Sequence, residues 1–349
     1  MAIHGNQAHS GLNGTIQPLL VMDAPAVNET EALDLVVAVR QGLTQSPKHL
    51  SSRFFYDDEG SRLFSEIMHL PEYYLTRCEY EALDTYKADL LALFSADNRP
   101  FDLVELGAGD GLKTKLLLDY FWQQKADFTY SPVDISKAAL DGLVDDIALQ
   151  WPDMALAPQH DDYFNTLKRL GDRAASEGNH TRLVVLFLGS NIGNFSPVEA
   201  VDFYRQIARH LQPGDLVLTG FDLQKHPAII HAAYNDSQGL TRAFNLNLLR
   251  RLNRELGADF DLTTFDHYET YNPENGEARS YLVSTLAQVV NLTALNMSVR
   301  FEAGEVIHTE ISRKFNRTGI EHLATQAGFG LINWFTDSKD YFADVVYRK

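Results

Sequence analysis

Four stretches of the chain hold residue types spaced for chemistry, and each follows a short apolar run. The first is Leu103 to Lys115, LVELGAGDGLKTK, where Glu105 stands two residues before Gly107, and Gly109 and Gly111 follow at alternate positions. A strand, a tight glycine turn and a helix N-terminus in that order bring backbone N–H groups up to a nucleotide-like ligand. A Cβ in the turn would block both positive φ angles and close approach. An ordinary strand-to-helix turn also produces such a loop. Leu112 fills the position where a dinucleotide fingerprint needs its third glycine, which disfavours a nicotinamide ligand. The second stretch ends in Asp134, a carboxylate able to bridge the two hydroxyls of a ribose. The third is Asp161-Asp162-Tyr163, an acid and an aromatic suited to an adenine's amino group and ring face, although a plain turn explains it equally well. The fourth, Gly189-Ser-Asn-Ile-Gly-Asn194, spends two glycines and two asparagines on a connector and sets Asn194 over the ligand's reactive end.

Open parallel sheets bind ligands beyond the carboxyl ends of their strands, so these four stretches should be strand ends. The hydrophobic pattern supplies the strands: Phe101–Leu106, Phe128–Asp134, about Met154–Ala157, Leu183–Leu188 and Asp215–Phe221. Helical segments fill the gaps, from Leu112–Leu118 to one opening at Ser196-Pro197, which argues for a parallel sheet with right-handed crossovers. Upstream, Thr30–Val39, Arg62–Met68 and Thr76–Phe94 have helical spacing, and Pro71 stops the second of them before Tyr73 and Tyr74. After the fifth strand the alternation ends. His231–Leu256 reads as one or two amphipathic helices. Phe260–Phe265, Tyr268–Asn272, Arg279–Leu286, Met297–Phe301 and His308–Lys314 read as antiparallel strands. Leu331–Phe335 and Tyr341–Tyr347 form a closing hairpin. The expected fold is α/β: a seven-stranded, Rossmann-like core with an antiparallel last strand and an α+β insertion of about 90 residues.

Composition narrows the functional classes. The 349 residues carry a formal net charge of -17, a surface that repels phosphate backbones and argues against a nucleic-acid partner. Cys78 is the only cysteine, so no intrachain disulfide forms, and the cytoplasm is the expected compartment. It reads as a structural thiol. The most apolar run, Leu183–Leu188, is far short of the ~20 residues of a membrane helix. Residues 1–23 read as a flexible arm with Leu19–Met22 as a patch able to dock, and the start lacks the features of a secretion signal. The 12 histidines offer no close ligand pair with a supporting carboxylate, so no metal is expected.

An acid two residues before the first glycine resembles the first motif of S-adenosylmethionine (SAM) methyltransferases. The resemblance sharpens with Tyr56-Asp-Asp-Glu-Gly-Ser, Leu70-Pro-Glu-Tyr-Tyr, Glu105-Leu-Gly-Ala-Gly, Leu188-Gly-Ser-Asn-Ile-Gly-Asn-Phe, Tyr234-Asn-Asp and Gly239-Leu-Thr-Arg-Ala-Phe-Asn. With Phe301-Glu-Ala-Gly and Thr309-Glu-Ile-Ser-Arg-Lys-Phe, these resemble the histidine Nα-methyltransferase family of the ergothioneine pathway, from about residue 45 to the C-terminus. The resemblance implies SAM as methyl donor and transfer of up to three methyl groups to the α-amine of free histidine. It joins residues 24–78 to 224–314 as a substrate-binding domain, leaving 79–223 and 315–349 as the methyltransferase core.

The resemblance also implies roles. Glu105, Gly107, Gly109, Lys113, Asp134, Asp162 and Tyr163 would surround the cofactor. Tyr73, Gly189, Asn194 and Tyr234 would hold the amino acid's α-amine and carboxylate, with Asn194, Tyr234 and Tyr73 nearest the transfer. Glu310 and Ser312, with Tyr56, would recognise the imidazole. By pattern alone Glu310 and Ser312 are alternating residues on one strand face. Counting from Glu310 puts Ser280 where the family is expected to carry a methionine against the imidazole, which makes Ser280 a pocket candidate. The rival readings are a methyltransferase of another amino acid or small amine, a SAM-binding module without turnover, and a nicotinamide oxidoreductase. The expected partner is a small amino acid, with no membrane, and the chain is expected to be a monomer or weak dimer.

Overall fold

The structure, a computed structural model, describes residues 29–96, 99–176 and 181–349. The arm expected over 1–23, with its Leu19–Met22 patch, lies outside them. The first elements are α1 (Glu29–Thr44), β1 (Lys48–His49), α2 (Asp58–Met68) and α3 (Leu75–Phe94). Helix α2 begins four residues earlier than its apolar spacing suggested, because Asp57 caps it by accepting from the Gly60 amide at 2.8 Å. It ends at Met68, and the Pro71 turn then delivers Tyr73 and Tyr74 to the start of α3.

The core alternates as expected: β2 (Phe101–Leu106), α4 (Thr114–Gln123), β3 (Phe128–Asp134), α5 (Lys137–Gln150), β4 (Gln159–His160), α6 (Tyr163–Ser176), β5 (Arg182–Phe187), α7 (Pro197–His210) and β6 (Leu216–Asp222). Two local details differ from the sequence reading. The third strand is displaced to Gln159–His160. Ladder bonds of Tyr130 with Ala155 and Ala157 stop at Pro158, which has no N–H to donate, and pairing resumes beyond it. Helix α4 starts at Thr114 and not Leu112, because the Leu112 amide is taken by Asp110 Oδ1 at 3.0 Å within the loop.

The insertion contains α8 (Pro227–Tyr234), α9 (Leu240–Leu256), β7 (Phe265–Asn272), β8 (Glu277–Ser284), β9 (Gln288–Leu292), β10 (Met297–Phe301) and β11 (Val306–Arg313). The expected strand at Phe260–Phe265 is absent. Asp261 accepts from the Thr263 amide at 2.9 Å and winds a short 3-10 turn, so the strand starts at Phe265. The helical stretch divides at Asp236, whose carboxylate accepts from the amides of Gln238, Leu240 and Thr241. Strand β9, not anticipated, pairs with β10. The chain closes with α10 (Arg317–Ala327), β12 (Gly330–Thr336) and β13 (Phe342–Arg348).

The seven-stranded sheet has the order β12-β13-β6-β5-β2-β3-β4, and β13 runs antiparallel to both its neighbours. The insertion builds its own sheet, β1-β11-β8-β7, to which the N-terminal segment contributes β1 parallel to β11. Strands β2 and β5 are buried along their whole length, as expected for a parallel sheet covered on both faces. One apolar cluster packs around Val104, Val185, Phe203 and Ile320, and another around Leu103, Val184, Phe121 and Val346. A third joins Leu35, Phe55, Leu63 and Tyr73 to Leu249, Leu282 and Ile307, binding the N-terminal helices to the insertion. The insertion leaves and rejoins the core at one place, where the Phe315 amide donates to Asp222 O and the Gln224 amide to Phe315 O, both at 2.8 Å.

Candidate active site

The glycine elbow after β2 is a backbone cradle. Gly107, Gly109 and Gly111 have φ of 74°, 53° and 65°. A Cβ on Gly107 would come 2.7 Å from the Tyr163 hydroxyl, so glycine is required here on two counts, conformation and space. The Gly109 amide donates to Asp134 Oδ2 at 3.2 Å, which fixes the end of β3 against the elbow. A cavity opens beside it, lined by Glu105, Gly107, Gly111 and Lys113 together with Glu79 and Gly189. Glu105 is buried, and both its oxygens are engaged, one by the Thr114 hydroxyl at 2.5 Å and one by Tyr130. Burial pushes its carboxyl up to about 7 against the pull of those two donors. Its carboxylate therefore braces the elbow from behind. Asp162 Oδ1 accepts from the Phe164 and Asn165 amides at 2.9 Å, a turn function at the mouth of α6, while Tyr163 supplies the ring and hydroxyl beside Gly107.

A second cavity lies between this elbow and the insertion. Tyr56 and Tyr73 enter it from the N-terminal segment, Gly189, Asn191 and Asn194 from the loop after β5, Tyr234 from the end of α8, and Glu310 and Ser312 from β11. The loop after β5 reaches the insertion because Gly193 lies against the β11 backbone, where a Cβ would be 2.7 Å from Arg313 O. The Tyr73 and Tyr234 rings meet edge to face at 6.2 Å. Burial raises both phenols well above their ordinary range, so each stays a neutral hydroxyl. Burial also pushes the Glu310 carboxyl up to about 7, with Lys314 opposing the shift. The two cavities share a wall of Phe64, Tyr73, Leu75, Gly189 and Asn191.

All the residues anticipated for the amino acid line this second cavity except Ser280. Ser280 pairs with Glu310 in register across β8 and β11, but its side chain turns to Glu269, donating to Oε2 at 2.9 Å, and is 1% exposed. It is not a lining residue, and the reading of Ser280 as a pocket contact is corrected. Sequence reasoning missed Glu79, which is buried in α3, accepts from the Gly189 amide at 2.7 Å and pairs with Lys113, so that one carboxylate ties both loops together. It also missed a polar cluster at the neck of the insertion. Asp222 accepts from Tyr74 at 2.9 Å and pairs with Lys225 and, at 2.8 Å, with Lys314, whose ammonium also reaches the Tyr234 hydroxyl at 2.6 Å. Asp222 closes the fifth strand, so the strand-end rule would have found it had that strand been read one residue further. Glu79 has no such signal. Among the described residues no cluster of His, Cys, Asp and Glu could hold a metal, and no helix is long and apolar enough to cross a membrane.

A Rossmann-like sheet closed by an antiparallel last strand, a glycine elbow after its first strand and an adjoining polar cavity define a SAM-dependent methyltransferase. The family model for histidine-specific, SAM-dependent methyltransferases matches residues 35–349, and the chain belongs to that family. It is 37% identical to a histidine N-alpha-methyltransferase of Mycolicibacterium smegmatis over 302 residues, 86% of this chain and 90% of the relative. It is 35% identical to the protein of the same name from Mycobacterium tuberculosis, over 87% of this chain and 91% of that one. It is 29% identical to ergothioneine biosynthesis protein 1 of Schizosaccharomyces pombe over 88% of this chain, a match spanning 40% of that longer protein.

Proposed function

We propose that the chain methylates the α-amino nitrogen of free L-histidine, up to the trimethylated betaine. The observation that carries this reading is the shared wall: a cradle for a nucleotide-like donor and a tyrosine-lined cavity for a zwitterion meet at Tyr73, Gly189 and Asn191. Gly107, Gly109 and Lys113 would hold the donor's polar ends, Asp134 the ribose and Asp162-Tyr163 the adenine side, with Glu105 as the brace behind. Bound SAM supplies an already activated sulfonium methyl, so the protein's contribution is alignment and exclusion of water. Asn194, Tyr73 and Tyr234 position the neutral α-amine for in-line attack. The nitrogen lone pair would form the N–C bond as the C–S bond breaks, and after the first and second transfers the new ammonium gives up a proton to solvent, which restores the lone pair. The third transfer has no N–H to lose and ends at a quaternary cation, which the tyrosine faces accommodate. Glu310 accepts from the imidazole N–H, with Ser312 and Tyr56 beside it.

The division of labour follows the chain segments: 24–78 and 224–314 form the substrate side, and 79–223 and 315–349 the donor side. The apolar cluster joining the N-terminal helices to the insertion supports that division. Ser280 gives no reason to assign another amino acid, since its hydroxyl is committed to Glu269. With a net charge of -17 and a single cysteine, the chain is read as a cytoplasmic enzyme, a monomer or weak dimer that works without nucleic acid or membrane. Mass spectrometry of purified chain with histidine and methyl-labelled SAM tests the reading. Label on the α-nitrogen in mono-, di- and trimethylated products is the expected result. Label confined to another amino acid in a mixed panel would overturn it.

A further inference from the structure

At the seam between the large sheet and the insertion lies a lysine that lines neither cavity. Lys314 follows Glu310 and Ser312 at two-residue spacing, so the three side chains leave the chain toward one face. Its side chain is fully buried. An ammonium has three hydrogens, and three acceptors surround it: the Tyr234 hydroxyl at 2.6 Å, Ser312 Oγ at 2.8 Å and Asp222 Oδ2 at 2.8 Å. Each hydrogen has one target, which fixes the head group.

Counting protons shows what this does to the cavity. A hydroxyl has one hydrogen and two lone pairs, and Tyr234 and Ser312 each give a lone pair to Lys314. Their oxygens lie 2.8 Å apart, so one of their two hydrogens bridges them. The other remains, and since both residues line the cavity, the pair presents a single donor to whatever occupies it. Asp222 is also matched by Lys225 and accepts from Tyr74, so Lys314 is not its only partner.

We infer that Lys314 is a positioning residue: it aims the Tyr234–Ser312 hydroxyl pair at the substrate. The inference rests on the second cavity being the amino-acid site.

The test uses the full chain with Lys314→Met and Lys314→Gln. Asp222 keeps Lys225 and Tyr74 in both, so neither change strands it as an unpaired buried charge. In Lys314→Met the KM for histidine should rise on the order of tenfold. SAM Kd should stay within about twofold. Lys314→Gln, which keeps a donor without the charge, should recover part of the histidine KM. An unchanged histidine KM in Lys314→Met, no recovery in Lys314→Gln, or equal weakening of SAM and histidine would reduce Lys314 to a structural prop and overturn the inference. If neither variant folds, Tyr234→Phe, Ser312→Ala and their double variant decide it. One hydroxyl chain predicts that the double loses little more than the worse single, and additive losses overturn it. Failure of the unaltered chain to methylate histidine is a separate result, striking the proposed function itself.

Discussion

The glycine elbow and the tyrosine-lined cavity adjoin at Gly189, yet they are built in opposite ways. The elbow comes from contiguous chain, Glu105 to Thr114, and is shaped by backbone: positive φ angles, an amide held by Asp134, a carboxylate braced by Thr114 and Tyr130. Its polar side chains are largely engaged with one another. The second cavity draws on four separate segments, around 56–73, 189–194, 234–244 and 310–312, and is shaped by side chains: tyrosine rings, the Tyr234–Ser312 hydroxyl pair and Glu310. The contrast teaches which part is general and which is selective. A backbone cradle accepts a donor common to many reactions, whereas side-chain hydroxyls and acids choose the acceptor.

The sharpest way to break this contrast is to damage the cradle alone. Gly107→Ala forces a φ of 74° on a residue with a Cβ and drives that Cβ to 2.7 Å from the Tyr163 hydroxyl. Strain of about 1–2 kcal/mol plus displacement of Tyr163 should weaken SAM about 100-fold or more. Titration calorimetry should show this loss, while histidine binding without SAM stays within about threefold, since removing a backbone cradle leaves the other cavity's side chains in place. Histidine affinity falling in parallel would mean that the two cavities are one unit. On the other side, Asn194→Ala should lower kcat/KM by about 10–100-fold with SAM Kd nearly unchanged, as expected for losing one aligned polar contact. A matched fall in SAM affinity would move Asn194 to the donor side.

The same contrast explains what could be read from sequence. The elbow, Asp134 and the alternation of strands and helices were legible because local patterning sets them: an apolar run, glycines at fixed offsets, the Ser196–Glu199 capping box that opens α7. The third strand was misplaced by a few residues because Pro158 interrupts an edge where pairing is weak. Apart from the Gly189–Asn194 connector, the second cavity was legible only through family resemblance, since nothing local tells a solvated Glu310 from one that opens on a buried cavity. Lys314 stayed hidden for the same reason, and Asp222 because the fifth strand was read one residue short. Their meaning lies in the pairing of β6 with the neck of the insertion, some ninety residues apart in the chain.

Glu310 offers a pH test of moderate size. In the free enzyme burial holds its carboxyl at about 7, so below that pH it is protonated and a poorer acceptor for an imidazole N–H. The KM for histidine should therefore fall as pH rises through about 7, beyond the change due to the substrate's own amine and imidazole. Glu310→Gln has no such titration. The ratio of wild-type to variant kcat/KM should climb with pH across 6–8 and reach about tenfold at the alkaline end. A flat ratio would show that Glu310 does not read the imidazole.

The smallest effect on activity should come from Ser280, and it bears on where the selective side ends. Its hydroxyl is committed to Glu269 Oε2, and Glu269 Oε1 has no hydrogen-bond partner among the described residues. Burial pushes the Glu269 carboxyl up to about 9, so it is neutral in the folded chain near pH 7 and ionised in the unfolded one. The folded state thus binds the extra proton, and this group takes stability away as pH rises from its unfolded value of about 4.5 toward 9. Glu269→Gln, which keeps the acceptor for Ser280 and abolishes the titration, should flatten that decline, so that its Tm advantage over wild type is greater at pH 9 than at pH 6. Ser280→Ala removes a donor from a buried carboxyl and should cost about 1–3 kcal/mol of stability. Its KM for histidine should stay within about twofold, because the side chain, although on the same sheet face as Glu310, is committed to Glu269 and does not line the cavity. A large change in KM or in amino-acid preference without a fall in Tm would extend the selective surface through Glu310 to Ser280. The boundary between structural and selective residues in the insertion would then have to be redrawn one strand deeper.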